Sequence, residues 1–457
     1  MAGKPYAAAV GPSYRLADKK AAVQSAINCY PKRLEGDRSM MHSTPGEVEI
    51  AALGAEIRGS RNVDGRWFVA SGNILYEVTA LGATTVRAVL NTVSGFVGMA
   101  HNKTQLAIVD GANLYVFNLN TNLANRITAP GWRGSNDVHE LDGYFIFVAP
   151  ATDQFYISAI DDGTKLNALD FSSADSSPDN IVAHPVSHRQ LWLFGTRSTE
   201  IWIDSGALAF PFVRYNSYTL DVGCVGPRAA INAADTLFWI GQTDRGTGIV
   251  YMAAGNQPQR VSTQAIEEAL ASSTNLAAAT MWTYQIEGHE FIGINAPGLS
   301  STFVYDAAVQ QWHERAEWDA GWMPLRSRLV TAVGTDHFAG DANGQLVRLD
   351  DAANSLSGRV LVRERTWPHI NPPSAEMLTF YGLELQMTTG FGGNVTLQIS
   401  NDGGKTFGPM LLRSLGAIGR TMQRIRWLGL GTAFNRVFRI RCSDAVPFGI
   451  HSATLDT

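Results

Sequence analysis

The sequence predicts an all-β fold: a β-propeller of six or seven blades followed by a small C-terminal β-sandwich. Short apolar runs occur in pairs that are joined by turns rich in Gly, Asp and Asn, as in β-hairpins. The second run of each pair carries a large residue at a matching place, and these residues recur every 39 to 54 positions. A period of about 40–50 residues with four short strands per unit is typical of propeller blades.

Seven hairpins follow one another from about Arg58 to Trp367. Their paired runs are Arg66–Ala70 with Ile74–Val78, Gln105–Val109 with Asn113–Phe117, Tyr144–Val148 with Phe155–Ile157, Gln190–Phe194 with Glu200–Ile203, Thr236–Ile240 with Ile249–Met252, Glu290–Ile294 with Thr302–Tyr305, and His337–Ala339 with Gln345–Leu349. The matching residues are Tyr76, Tyr115, Tyr156, Trp202, Tyr251, Tyr305 and Val347. A β-sandwich or two stacked barrels remain the alternative, although their hairpins would be spaced at about 8–12 residues.

Four segments interrupt or flank this repeat. Gln264–Ala271 predicts a short helix with Thr263 as its N-cap, and Leu208–Tyr218 predicts an excursion from its blade because Pro211 blocks a central strand. Residues 1–57 are expected to be irregular, wrapping the propeller or closing its last blade. Residues 368–374 contain three prolines and predict a linker between a propeller at 58–367 and a sandwich at 375–457.

Composition limits the classes of function. The net charge is −5 and charged residues make up 17% of the chain, so there is no overall basic footprint for tight nucleic-acid binding. A local set of arginines is interpreted as a solvated strand face: Arg420, Arg424, Arg426, Arg436, Arg439 and Arg441. The three cysteines, Cys29, Cys224 and Cys442, are far apart and predict neither a disulfide framework nor a zinc site. We expect no signal peptide and no membrane span.

No catalytic, cofactor-binding or metal-binding residue is predicted, and we expect a protein that is not an enzyme. The histidines show no metal-binding spacing, and each of His101, His184, His188, His289 and His313 is interpreted as structural. Ser400–Phe407 (SNDGGKTF) has the Asp-box pattern. We interpret this box as a folding device in which Asp402 binds backbone amides, Gly403 and Gly404 permit positive φ, and Phe407 anchors the hairpin in the core.

Several segments in order resemble the packaged-DNA stabilisation proteins of short-tailed phages (podoviruses), also called tail nozzle or tail hub proteins. The resemblance covers about residues 28–367. Its segments are Asn28–Pro31, Ser43–Gly46, Gly195–Trp202, Pro211–Arg214, Gly223–Gly226, Arg260–Glu267, Gly288–Phe291, Thr302–Asp306 and Trp312–Arg315. The C-terminal stretch with Asp402–Thr406 is similar to such phage proteins in a less specific way.

The resemblance implies a structural protein of the virion tail that is assembled in the host cytoplasm. It implies a homohexameric ring below the portal and its tail adaptor (the head–tail connector). Such a ring extends the channel for double-stranded DNA without sequence-specific binding, retains packaged DNA with a needle or plug, and docks tailspikes or tail fibres. A ring of this kind requires heterologous interfaces that close.

Two other classes of function remain open. A cellular propeller scaffold or glycan-binding module would bind glycans and not a ring-shaped adaptor. A sialidase-like glycoside hydrolase would need clustered arginines with paired Tyr and Glu in the axial funnel and repeated Asp boxes, whereas this sequence has one box.

Overall fold

The computed structural model describes residues 4–36, 38–371 and 376–457, and these form an almost entirely β structure. Seven antiparallel sheets of four strands surround one axis, so the predicted propeller is confirmed. The circle is closed between the last blade and the first, where the Asn62 side-chain amide donates to the Ala332 carbonyl at 2.9 Å. Thr331 and Ser60 are joined by a 2.8 Å hydroxyl hydrogen bond at the same junction.

Blades 1 to 4 each take their four strands from one continuous stretch of chain. Blade 1 consists of Ile57–Val63, Arg66–Ser71, Ile74–Val78 and Thr84–Val89, and blade 2 of Gly98–His101, Gln105–Val109, Leu114–Asn118 and Leu123–Ile127. Blade 3 consists of Val138–Leu141, Tyr144–Val148, Gln154–Ala159 and Asp162–Ser173. In blade 4 the inner strand is split into Ile181–Ala183 and Val186–Ser187, followed by Gln190–Gly195, Thr199–Asp204 and Phe212–Leu220.

Blades 5 to 7 complete the circle. Blade 5 has the split inner strand Gly223–Cys224 and Ala230–Ala233, then Thr236–Thr243, Gly246–Ala254 and Gln257–Arg260. Blade 6 has Thr280–Ile286, His289–Asn295, Thr302–Asp306 and Gln311–Trp318, with Trp322–Pro324 paired to its outer strand. Blade 7 has Arg328–Val333, Asp336–Gly340 and Gln345–Asp350, and beside it lies the short hairpin Ser355–Leu356 with Arg359–Val360.

The fourth strand of blade 7 comes from the N-terminal segment. Gly46–Ala52 pairs antiparallel with Gln345–Asp350, and we name it the closing strand. Because a strand that precedes blade 1 in the sequence completes blade 7, the propeller has no incomplete blade at the junction between its first and last blades.

The C-terminal sandwich has two sheets, and both include N-terminal strands. One sheet consists of Lys4–Pro5, Cys29–Arg33, Ser39–Ser43, Leu378–Met387, Ile425–Ala433 and Gly449–Asp456. The other consists of Val23–Ile27, Arg363–Thr366, Asn394–Ser400, Leu411–Ser414 and Val437–Cys442, with Tyr14–Arg15 paired to its first strand.

The second sheet of the sandwich is continuous with blade 6. Ile27 lies opposite Glu314 in a parallel bridge, and the same strand pairs antiparallel with Arg363–Thr366. Hydrogen bonding therefore runs without a break from the propeller into the sandwich, and the strand Val23–Ile27 joins the two.

Large apolar side chains pack between neighbouring blades. Trp67 of blade 1 lies 4.6 Å from Phe338 of blade 7, and Trp192 of blade 4 lies 6.1 Å from Trp239 of blade 5, between ring centroids. Stacking the blades in this way covers the faces that a single sheet would expose to water.

Three local predictions need correction. Residues 1–57 are not irregular in their described part, because they supply strands to blade 7 and to both sheets of the sandwich, and of the two roles expected for them Gly46–Ala52 takes the closing of the last blade. Most of Leu208–Tyr218 is not an excursion, since Phe212–Leu220 is the outer strand of blade 4 and begins directly after Pro211. The helix is confirmed at Gln264–Ala271, but the Thr263 side chain makes no capping hydrogen bond.

The predicted linker at 368–374 lies partly outside the described residues. In its described part, Ile370 pairs with Arg436 through two backbone hydrogen bonds, so this end is tied to the sandwich. The smaller 3₁₀ turns are Ala7–Ala9 and Leu276–Ala278.

Candidate functional site

The axis of the propeller is occupied by side chains. A cavity of about 230 Å³ lies between the inner strands, lined by residues of all seven blades. From blade 5, Arg228 extends to Phe96 beside blade 2, and its guanidinium carbon lies 3.1 Å from the ring centroid. Burial lowers the pKa of Arg228 to about 10, and the charge of Asp137 opposes this shift. The axis is therefore a packed centre and not a wide pore.

This cavity lacks the groups that the glycosidase alternative requires. Its described lining residues include Arg61, Arg228, Asp137 and His139. They include no Tyr and no Glu. The Asp box lies in the sandwich, far along the chain from the axial strands. The geometry thus offers no paired carboxylates or Tyr–Glu couple for glycoside cleavage at the axis.

The Asp box folds its loop as predicted, with one difference. Asp402 accepts hydrogen bonds from the Thr406 hydroxyl at 2.6 Å and from the amides of Thr406 and Lys405, both at 3.0 Å, and these bonds hold the pKa of its carboxyl well below the usual range. Gly403 and Gly404 have φ of +74° and +80°. Phe407 is only half-buried, because it lies against the guanidinium of Arg439 at 3.7 Å and not within the apolar core.

The histidines singled out in the sequence are dispersed and do not converge on one site. His289 Nδ1 lies 2.7 Å from Asp306 Oδ2, and His184 Nε2 lies 3.2 Å from the Ile146 carbonyl. His313 is fully buried and has no hydrogen-bond partner among the described residues, and burial lowers its pKa to about 3. His101 and His188 lie at separate positions, in blade 2 and in a turn of blade 4.

One group of side chains with metal-binding atoms occurs within the described part of the chain. The ligand atoms of His42, Glu287 and Asp351 lie within 4.8 Å of one another. Lys32 forms an ion pair with Glu287, so a cation already neutralises part of this group. We therefore do not assign a metal site to these three residues.

Several buried arginines clamp backbone carbonyls, a role that sequence reasoning missed. Arg58 donates to the carbonyls of Gly72, Thr92, Ser94 and Gly95, with distances of 2.6 to 2.8 Å. These bonds fix the connection between blades 1 and 2. Because an arginine has five N–H donors in a planar fork, one side chain satisfies several carbonyls at once.

Arg365 performs the same task for the N-terminal segment. It is 1% exposed and donates to the carbonyls of Ala8, Ala9, Pro12 and Ser25 at 3.0 to 3.2 Å. Burial lowers the pKa of its guanidinium to about 10. One side chain of the sandwich therefore contacts the N-terminal segment at four places between Ala8 and Ser25, beside the strand pairing that also holds it.

The predicted solvated arginine face is wrong for three of its six members. Arg436 is buried and donates to Leu430 O and Asn401 Oδ1, and Arg441 donates to Glu364 at 3.0 Å. Arg439 is half-buried and donates to Gln398. The other three arginines, Arg420, Arg424 and Arg426, are exposed.

Comparison with known proteins identifies both parts of the chain. Residues 25–353 match the family model described as bacteriophage P22 Gp10, beta-propeller, and residues 363–457 match the one described as bacteriophage P22 Gp10, beta-sandwich. No curated protein sequence matches. Among the described residues, no helix is long and apolar enough to cross a membrane.

Propellers of solved structure are similar at low identity. The WD40 propeller of Doa1 is 10% identical, with 67% of this chain and 97% of that chain covered and a TM-score of 0.42. YCF48 bound to D1 peptide is 10% identical, covering 67% and 98%, with a TM-score of 0.42. The Cps50 propeller of Myceliophteria thermophila is 10% identical, covering 67% and 99%, with a TM-score of 0.44.

The two family models together span most of the chain in the order in which the structure places its propeller and its sandwich. The resemblance seen in the sequence is thereby confirmed. This chain belongs to the bacteriophage P22 Gp10 family and is a structural protein of a phage tail, located in the virion.

Proposed function

We propose that this chain is a subunit of the tail nozzle, or hub, of a short-tailed phage. Six copies form a ring below the portal and its adaptor, extend the DNA channel, retain packaged DNA, and dock the needle and the spikes or fibres. The observation that carries this proposal is the family match over residues 25–353 and 363–457. Within each copy the propeller ends before Arg363–Thr366, which is a strand of the sandwich and not of the propeller predicted at 58–367, and strands from 1–57 complete both parts.

The packed axis supports a ring with its channel between subunits. Residues from all seven blades line the axial cavity, and Arg228 extends across it to Phe96. Duplex DNA is far wider than the space left between these side chains, since its major groove alone admits an α-helix. Duplex DNA therefore has no path through a propeller of this kind. A conduit built from such subunits has to be enclosed by several copies around a common axis.

The charge of the chain suits a conduit. Its net charge is −5, so the ring would not hold the phosphate backbone through many Lys and Arg contacts. DNA that is gripped by six to ten phosphate contacts per protein would resist sliding at ejection. A chain with this charge balance is expected to retain DNA through a plug and not through its own lysines and arginines, as the proposal requires.

Density-gradient fractionation of a phage lysate, with mass spectrometry of each band, tests the proposal. We expect this chain in the band of DNA-filled particles at a few copies per particle, near six if it forms the proposed ring. A chain that stays with soluble protein while DNA-filled particles form without it would contradict the proposal. Particles that lack the chain and lose their DNA would support its retaining role.

A further inference from the structure

The end of the sandwich displays a rigid apolar tip. Two loops, at 388–393 and 415–424, are tied together by hydrogen bonds from Gly419 N to Gly390 O at 2.9 Å and from Thr389 Oγ1 to Thr421 O at 2.7 Å. They expose Phe391, Ile418 and Met422, the last two at 85% and 89%. We name these three residues the sandwich tip. Large side chains held in water by braced loops are typical of an interaction surface.

The residues around the sandwich tip give it a basic environment. The loops and strands from 385 to 401 and from 403 to 443 contain no Asp or Glu, and Arg420 is exposed within the tip loop itself. Residues 363–457 contain ten Lys and Arg against six Asp and Glu, a net charge of +4. Since the whole chain carries −5, residues 1–362 carry −9. The two parts of the chain therefore have opposite charge.

The outer edge of blade 3 is complementary to the tip. Its last strand, Asp162–Ser173, departs from regular pairing between Ser158 and Tyr156, so that the residues near 167–170 bulge outward. Leu169 on this bulge is 80% exposed. Beside it lies a shallow cleft of about 350 Å³ that is lined by Ala129, Ala159 and Leu166 among others.

One acidic and one basic residue line this cleft, Asp170 and Lys165. Lys165 is held by Asp162 at 3.1 Å, and Arg133 donates a hydrogen bond to the Ala168 carbonyl on the bulge at 2.6 Å. Asp170 accepts a hydrogen bond from the Asn167 side chain at 2.9 Å and forms no ion pair among the described residues. The edge thus offers a small hollow with one carboxylate that lacks a cationic partner, which matches an apolar tip that carries an exposed arginine.

We propose that the sandwich tip of one copy of this chain docks on the blade 3 edge of the next copy. The two surfaces differ, so the contact is heterologous. Repeated from copy to copy, it closes into a ring when a whole number of such rotations makes one full turn. Phe391 and Ile418 enter the cleft, and Arg420 pairs with Asp170. The inference rests on the ring assembly of the proposed function and names the surfaces that build it.

Cysteine cross-linking of the full-length chain tests the contact. The variant Met422→Cys/Leu169→Cys has one cysteine on each surface, and the three native cysteines are buried. After assembly and mild oxidation or a short bismaleimide, we expect a ladder of covalent oligomers on a non-reducing gel, because every copy contributes both surfaces. The matched control is Met422→Cys/Leu81→Cys, whose second cysteine is 94% exposed on blade 1, away from blade 3. We expect no ladder from the control.

Sedimentation velocity supplies a second measurement. Ile418→Asp is expected to weaken association at least about tenfold, the equivalent of losing one buried apolar contact. Arg420→Asp is expected to weaken it as well, and Asp170→Arg in the same chain is expected to restore it. Leu81→Asp, at an equally exposed apolar position, is expected to associate as the unmodified chain does.

Three results would overturn the inference. They are an assembled ring in which the target pair fails to cross-link, a control pair that cross-links equally well, and a chain that stays monomeric at high concentration. Co-sedimentation with phosphatidylglycerol vesicles that is lost in Ile418→Asp would instead assign the tip to a lipid surface. If the chain is found in DNA-filled particles but does not cross-link, only the docking inference fails. If it is absent from them, the proposed function fails too.

Discussion

Replacing Arg365 tests how the N-terminal segment is held. The side chain is fully buried and satisfies four carbonyls, yet it has no carboxylate partner among the described residues. In Arg365→Met the carbonyls of Ala8, Ala9, Pro12 and Ser25 lose their donor. A buried polar group without a partner costs about 1–3 kcal/mol.

The variant no longer has to bury a positive charge, and the free energy saved in this way offsets part of that cost. We therefore expect a net loss of about 3–5 kcal/mol, because four buried carbonyls are left without their arginine donor. An unfolding entropy of about 2.1 cal/mol/K per residue gives ~1 kcal/mol/K for the chain, so the melting temperature should fall by about 3–5 °C. If only part of the chain unfolds as one cooperative unit, its unfolding entropy is smaller and the melting temperature should fall further.

Calorimetry and hydrogen exchange are the assays, with Arg424→Met as the matched control. Arg424 is exposed and donates to Glu384 at 2.9 Å, and such surface pairs contribute little, so the control should melt within about a degree of the unmodified protein. Amides of Val23–Ile27 should exchange faster only in Arg365→Met. Equal melting temperatures for Arg365→Met and the unmodified protein would refute the clamp.

Three further changes test other features. Because burial lowers the pKa of His313 to about 3, the unfolded chain binds more protons between about pH 6.5 and 3, so stability falls as pH falls through that window. His313→Phe should flatten this loss in melting curves across pH, and an unchanged slope would argue against it. Gly404→Ala, at φ +80°, should destabilise by about 1–3 kcal/mol, whereas Gly408→Ala, whose φ is not positive, should be close to neutral in the same melts. Val48 and Arg348 are directly paired between the closing strand and blade 7, so a disulfide in Val48→Cys/Arg348→Cys should stabilise by up to about 5–6 kcal/mol from loop closure. The oxidised form should melt above the reduced form, and equal melting would contradict the register.

Local sequence patterns are sufficient to predict the hairpins of the blades. The pairs from Arg66–Ser71 to Gln345–Asp350 were recognisable because a hairpin is formed by neighbours in sequence, with turn residues between them. The helix Gln264–Ala271 was recognisable for the same reason. The order of the segments also identifies the family from the sequence.

The sequence leaves open whether residues 1–57 wrap the propeller or close its last blade, and it does not identify the closing strand. Gly46–Ala52 lies almost 300 residues from Gln345–Asp350, and nothing in its own residues specifies that partner. The same holds for Val23–Ile27, which joins blade 6 to the sandwich. Strand pairing at such separation is decided by which edges remain open once the rest has folded.

Local sequence patterns predict the fold class, the succession of hairpins, the short helix and the family. The number of blades, the packed axis and the burial of Arg58, Arg365 and Arg436 follow only from the three-dimensional arrangement. Hairpins and helices depend on neighbours in sequence. Whether an arginine meets water or backbone carbonyls depends instead on segments brought to it from elsewhere in the chain.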